Sequence, residues 1–153
     1  GEVVLELVHQ GFTAAEVSRV LNNESGLIGL SGFSSNLAEV IEAAEAGNED
    51  CRLAYDVYAN RLKFYLGAYT WLLAGADAIV FTDDVGIGSW KLREKVCSRV
   101  ETLGVQLDPD RNRSADVTSE SFVNREGSPT KILVIPTDEE KVILKQVLKQ
   151  LKW

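Results

Sequence analysis

Residues 77–101, DAIVFTDDVGIGSWKLREKVCSRVE, constrain the fold of this chain more than any other stretch. The apolar run Ala78-Ile79-Val80-Phe81-Thr82 reads as a short buried strand. It breaks into an acidic, glycine-containing turn, Asp83-Asp84-Val85-Gly86-Ile87-Gly88-Ser89. A helix should follow, because Leu92, Val96, Cys97, Val100 and Leu103 recur at near-helical spacing. A strand that ends in a glycine turn and opens a helix is where α/β folds place anionic ligands, on unpaired N–H groups at the positive end of a helix dipole. This turn carries two carboxylates where a phosphate would want none.

The surrounding numbers narrow the class. A chain of 153 residues, 45% hydrophobic and 25% charged, suits one ordinary globular domain with a real core. Its formal net charge of −7 argues against nucleic acid or an anionic membrane as the main partner. No apolar run approaches the roughly 20 residues that span a bilayer, and the N-terminus shows no signal-peptide pattern. Cys51 and Cys97 have neither metal nor redox spacing, and they read as core thiols of a cytoplasmic protein. The chain lacks methionine and begins at Gly1, so we expect it to be a piece of something larger.

Along the chain, residues 2–9 and 13–23 read as short helices broken at Gly11, the second opened by a Thr13/Glu16 capping box. Ser25 to Ser35 reads as a Gly/Ser-rich loop anchored by Leu27, Ile28 and Leu30. A helix from Leu37 to about Ala46 closes at Gly47-Asn48. A long one from about Glu49 to Leu73 carries a wide apolar face (Leu53, Val57, Tyr65, Tyr69 and Leu72 among others) and should be central. Val105–Leu107 reads as a short strand. Asp108–Pro129 reads mostly as loop, with a weak strand near Val117. Ile132–Ile135 is a second buried strand, ended by Pro136-Thr137, and a last helix runs from Asp138 to about Leu151. Two buried strands joined through a helix imply a parallel sheet with right-handed crossovers.

Both strands end in acidic turns, Thr82-Asp83-Asp84 and Thr137-Asp138-Glu139-Glu140. Parallel strands would bring these five carboxylates to one sheet edge, where hard oxygens suit Mg²⁺. The competing reading is structural: Thr137 with Glu140 forms another capping box, and acidic residues favour a helix's first turn. Glu139 has less structural excuse and is the better ligand candidate. Ser89 is a plausible N-cap. The lone His9 sits on a surface helix and is given no role, and a chain with one histidine assembles no Ser/His/Asp set.

The segments LNNESGLIGLSGFSSN, EAGNEDCRLAYDVYANRLKFYLGAY, DAIVFT, LREKVC, LGVQLD and ILVIPTDEE together resemble, in order and spacing, the C-terminal part of the acetate/propionate/butyrate kinase family. The resemblance covers nearly the whole chain. It implies an α/β, ribonuclease-H-like (actin-like ATPase) second lobe, present in part, with several helices packed on a small mainly parallel sheet. It places residues 1–153 in that C-terminal lobe, with the N-terminal lobe and the acetate-holding groups outside the chain. It implies reversible phosphoryl transfer between ATP and acetate or a similar short carboxylate, with Mg²⁺ as cofactor and a possible homodimer. By motif, Glu139 matches the family's metal-organising glutamate, which makes it the implied catalytic and metal residue.

The departures fall on nucleotide contacts. Where the family's turn reads Phe-Thr-Gly-Gly-Ile-Gly-Glu-Asn-Ser, this chain has Phe81-Thr82-Asp83-Asp84-Val85-Gly86-Ile87-Gly88-Ser89. The family's Asp-Met-Arg aligns with Asn36-Leu37-Ala38, so its arginine is lost. The positions implied to contact ATP or ADP are thus Asn36, Ala38, Asp83, Asp84, Gly86 and Gly88. A carboxylate about 4 Å from an anion costs about 1 kcal/mol in water and roughly 4 at an intermediate dielectric. Asp also tolerates a left-handed backbone less well than Gly. Three readings stay open: a kinase represented by its C-terminal lobe and inactive by itself, a degenerate relative serving as an interaction or dimerisation module, and a new Mg²⁺ or cationic-ligand site on the two aspartates.

Overall fold

The computed structural model describes residues 1–151, and these divide into two compact units, residues 1–62 and residues 63 onward. The first unit is helical. α1 (Glu2–His9) and α2 (Ala14–Asn23) form as their spacing predicts. The capping box of α2 is present: Thr13 Oγ1 accepts the Glu16 N–H while the Glu16 carboxylate accepts the Thr13 N–H at 2.8 Å. The segment expected to be loop winds its anchors into a short helix, α3 (Leu27–Ser31). α4 (Leu37–Glu45) follows, and Asn48 Oδ1 accepts the Cys51 N–H at the start of α5 (Glu49–Leu72). Val40 and Ala44 on α4 meet Cys51 and Ala54 on α5 in the unit's core, joined by Leu27, Ala43 and Tyr55.

α5 runs on past Leu62, and along its length the expected burial fails. Leu53, Val57, Tyr65 and Tyr69 are exposed, as are Leu72 and Leu73, and Trp71 is 87% exposed. A helix apolar on most of its circumference needs partners on several sides, and only its small residues Cys51, Ala54 and Ala59 are buried.

The second unit is built on a three-stranded sheet of order β1-β3-β2, formed by β1 (Ala78–Phe81), β2 (Ser121–Phe122) and β3 (Lys131–Val134). β1 and β3 are parallel, as expected, with Ala78 opposite Lys131 and Phe81 opposite Val134. The short antiparallel β2 covers the other side of β3. β3, paired on both sides, buries Ile132 and Val134 completely. β1 is an edge strand, so of its residues only Phe81 is buried and Val80 is 48% exposed, against the expectation of a buried strand.

Between β1 and β3 the chain is more regular than its composition suggests. The glycine turn is itself helical, α6 (Asp83–Gly88), and α7 (Trp90–Val96) follows at once. α7 stops at Val96 instead of reaching Leu103: Arg99 takes a left-handed φ of 62° and a 3-10 turn, Glu101–Leu103, replaces the rest. Val105 and Leu107 form single bridges to Thr130 and Asn124, not a strand. The expected loop after Asp108 opens with α8 (Pro109–Arg113), where proline at the first helical position needs no N–H partner and Asp108 accepts from the Asp110 and Arg111 N–H groups. The strand expected near Val117 lies later, at β2. α9 (Glu139–Gln150) closes the described chain and buries none of its residues.

Candidate functional site

The parallel register brings the ends of β1 and β3 side by side, and the Ile135 N–H donates to Phe81 O at 2.9 Å. The turns beginning at Thr82 and Pro136 therefore leave the same edge of the sheet, which gathers Asp83, Asp84, Gly86, Gly88 and Glu139. Asn36 and Ala38 belong to the first unit. There Asn36 is the N-cap of α4, and its Oδ1 accepts the Ala38 N–H at 2.9 Å.

At the first turn Asp83 has a left-handed φ of 64°. The backbone at this position takes a conformation that suits glycine, and an L-residue there is strained by about 1 kcal/mol, less for Asp than for most. Asp83 offsets part of that strain locally, its Oδ1 accepting the Asp84 N–H at 2.9 Å. Gly86 lies against the end of β1: a Cβ there would meet the Phe81 carbonyl carbon at 3.4 Å, an ordinary contact, and one at Gly88 would meet open space. Ser89 caps α7 as expected, its Oγ accepting the Leu92 N–H at 3.2 Å.

At the second turn the expected Thr137/Glu140 capping box does not form. Asp138 is the N-cap, its Oδ1 accepting the Lys141 N–H at 2.9 Å. Asp138 stands three residues before Lys141, the spacing at which an N-cap carboxylate accepts the N–H of the third helical residue, so Thr137 is not needed as the cap. Glu139 and Glu140 are exposed in the first turn of α9. Among the described residues, no three His, Cys, Asp or Glu side chains converge into a metal-binding group. The five carboxylates share an edge but do not assemble a cage. Their donor chemistry nonetheless fits Mg²⁺, which takes one or two carboxylates and completes its shell with water and phosphate oxygens.

The strongest polar construction in the unit was not foreseen. Arg93 on α7 is 2% exposed, and its four hydrogen bonds among the described residues all reach neutral oxygens. Nη1 donates to Gly86 O at 2.8 Å and to Ile87 O at 2.6 Å. Nε donates to Asn112 Oδ1 at 2.7 Å and Nη2 to Asn112 O at 3.0 Å. Asn112, at 0% exposure on α8, uses its remaining donor Nδ2 on Trp90 O at 2.8 Å. Burial pulls the guanidinium's pKa below its ordinary value. The sequence held one signal for it: Arg93 lies among Leu92, Val96 and Cys97 on the face of α7 that is buried. Cys97 is buried and unpaired, and burial pushes its thiol up to about 12.

Comparison with known proteins agrees with this architecture. The model of the acetokinase family matches residues 3–145. The acetate kinase of Bacillus subtilis (strain 168) is 42% identical over 142 residues, which cover 93% of this chain and 35% of that protein. The crystal structure of Porphyromonas gingivalis acetate kinase superposes with a TM-score of 0.87 at 36% identity, covering 98% of this chain and 38% of the other. A propionate kinase from Francisella tularensis subsp. tularensis SCHU S4 superposes with a TM-score of 0.81 at 29% identity, covering 93% and 36%. A small sheet with helices packed on it, entering the actin-like kinase architecture, is the class that fold and site define. The chain belongs to the acetokinase family. It spans about a third of the length of the curated relatives it matches. No helix among the described residues is long and apolar enough to cross a membrane.

Proposed function

We propose that residues 1–153 are the C-terminal, nucleotide-binding portion of an acetate-kinase-type phosphotransferase, which interconverts ATP plus acetate with ADP plus acetyl phosphate. The observation that carries this is the parallel register of β1 and β3, since it sets the turn at Asp83–Gly88 and the turn holding Glu139 at one sheet edge. In this reading the backbone of the first turn approaches the nucleotide at Gly86 and Gly88, and Asn36 and Ala38 stand at family contact positions. Glu139 would hold Mg²⁺, which supplies charge neutralisation during in-line transfer. The groups that hold the carboxylate and the transferring phosphoryl belong to the N-terminal lobe, so the chain alone is inactive. The acyl substrate is acetate or a similarly short carboxylate, and a homodimer fits the family.

One observation favours a second reading, a non-catalytic interaction or dimerisation module. Asp83 occupies a left-handed position, and Asp83 and Asp84 place two exposed carboxylates in the turn that should receive phosphates. Calorimetric titration with ADP and ATP, with and without Mg²⁺, separates the two. The kinase reading expects Mg²⁺-dependent binding that strengthens at least about tenfold in Asp83→Gly/Asp84→Gly, as two removed like charges require. No binding by either protein up to millimolar nucleotide would leave the module reading standing.

A further inference from the structure

The geometry points to Arg93 as the positioning residue of the nucleotide-contact turn: its buried guanidinium, braced by Asn112, fixes the segment Asp83–Gly88 against α7 and α8. The consequence for nucleotide rests on the proposed function; the positioning does not.

The argument starts from what α6 lacks. A helix of six residues leaves its last carbonyls without intrahelical partners, and propensity alone cannot hold so short a helix in water. Here the Gly86 and Ile87 carbonyls both fall on one Arg93 nitrogen. The same planar fork then reaches both oxygens of Asn112, and Asn112 reaches the Trp90 carbonyl. Arg93 and Asn112 together thereby tie the end of α6, the start of α7 and the body of α8. Lysine cannot reproduce this, because a single ammonium has no pair of separated donor edges. The acceptors are neutral and include helix-terminal carbonyls, so the arrangement fixes backbone orientation instead of neutralising a carboxylate. Asp83 at the other end of α6 is strained. The clamp at Gly86 and Ile87 is what keeps the segment from relaxing away from that conformation.

Amide hydrogen exchange tests the positioning in Arg93→Lys, with Asn112→Ala as a second variant should the first fail to fold. Exchange at residues 84–89 should accelerate about tenfold or more while residues 132–134 of β3 stay within about twofold, the signature of local rather than global opening. In the Asp83→Gly/Asp84→Gly background, the same Arg93→Lys change should weaken MgADP binding about tenfold. Equal acceleration in the turn and in β3, or none in either, overturns the proposal. Local acceleration with unchanged MgADP affinity overturns its link to nucleotide. If the parent proteins bind no nucleotide at all, the kinase reading fails, and exchange alone decides whether Arg93 positions the turn.

Discussion

Two turns leave neighbouring parallel strands at the same sheet edge, and both are short acidic stretches that open a helix. They are held in opposite ways. The turn after β1 runs directly into α6, whose carbonyls are gripped by a buried arginine from the next helix. The turn after β3 opens α9, which buries no residue and is stabilised at its start by the Asp138 cap. Local sequence makes both helices start. Among the described residues, the first acquires distant hydrogen-bond partners, from α7 and α8, up to Asn112, while the cap of the second is local. A binding loop of fixed shape needs such partners, because its own residues cannot supply enough buried contacts. Within the second unit, the Asp83–Gly88 side of the edge is therefore a built platform, and the Glu139 side is an arm held by local bonds.

The largest measurable contrast lies in thiol chemistry. With its pKa pushed up to about 12, Cys97 next to the platform holds almost no thiolate at pH 8. An exposed cysteine of ordinary pKa at Val147→Cys on α9 should react with a disulfide reagent faster by at least about 30-fold, since its larger thiolate fraction outweighs the stronger nucleophilicity of a high-pKa thiolate and burial shields Cys97 further. Comparable rates would mean that α7 opens freely. The same burial gives a pH dependence. The folded pKa lies above the ordinary 9.0, so this contribution to stability is present below pH 9 and is lost as pH rises through about 12. Cys97→Ala should flatten the alkaline limb of the stability profile, read by urea melts.

The next contrast is energetic. Arg93→Met removes the clamp and strands several carbonyl oxygens, each costing about 1–3 kcal/mol if left unsatisfied. A net loss of about 2–4 kcal/mol in denaturant unfolding is expected. Ile143→Ala, on exposed α9, should stay within about 0.5 kcal/mol. Equal losses would erase the distinction between platform and arm.

What could be read from the residues follows the same division. The capping box of α2, the Ser89 cap, the extents of α1 and α5 and the parallel pairing of β1 with β3 were legible, because each rests on neighbours in sequence or on apolar runs. α8 was missed because Asp108-Pro109-Asp110 fits a turn as well as a helix start. The burial of β1 and α5 was overestimated because an apolar pattern states a demand for partners, not their presence. The burial of Arg93 has a sequence signal in its apolar neighbours, but the bonds of its clamp have none. Its acceptors are backbone carbonyls, which every residue carries, so no composition marks them.

The platform's own flaw comes next in size. Asp83 holds a left-handed φ that its side chain offsets through one hydrogen bond. Asp83→Gly should raise stability by up to about 1 kcal/mol, since glycine adopts this conformation freely. The gain appears only if the backbone keeps φ near its present value, which makes the substitution a test of the platform's rigidity. A loss would mean that the Oδ1 bond to the Asp84 N–H outweighs the strain, and the aspartate would then be a stabilising feature of the turn.

Asp138→Ala is the smallest perturbation and the sharpest test of the arm. Removing an N-cap costs about 1 kcal/mol where the helix folds together with its surroundings. α9 buries none of its residues, so in this chain the cost should fall on the helix alone. Exchange protection at residues 141–144 should drop severalfold, with the denaturant midpoint of the sheet unmoved. A midpoint that shifted with it would show that α9 and β3 unfold as one unit. The contrast between the two turns would then be one of burial and not of cooperativity, and Glu139 would sit on a frame as firm as that of Asp83.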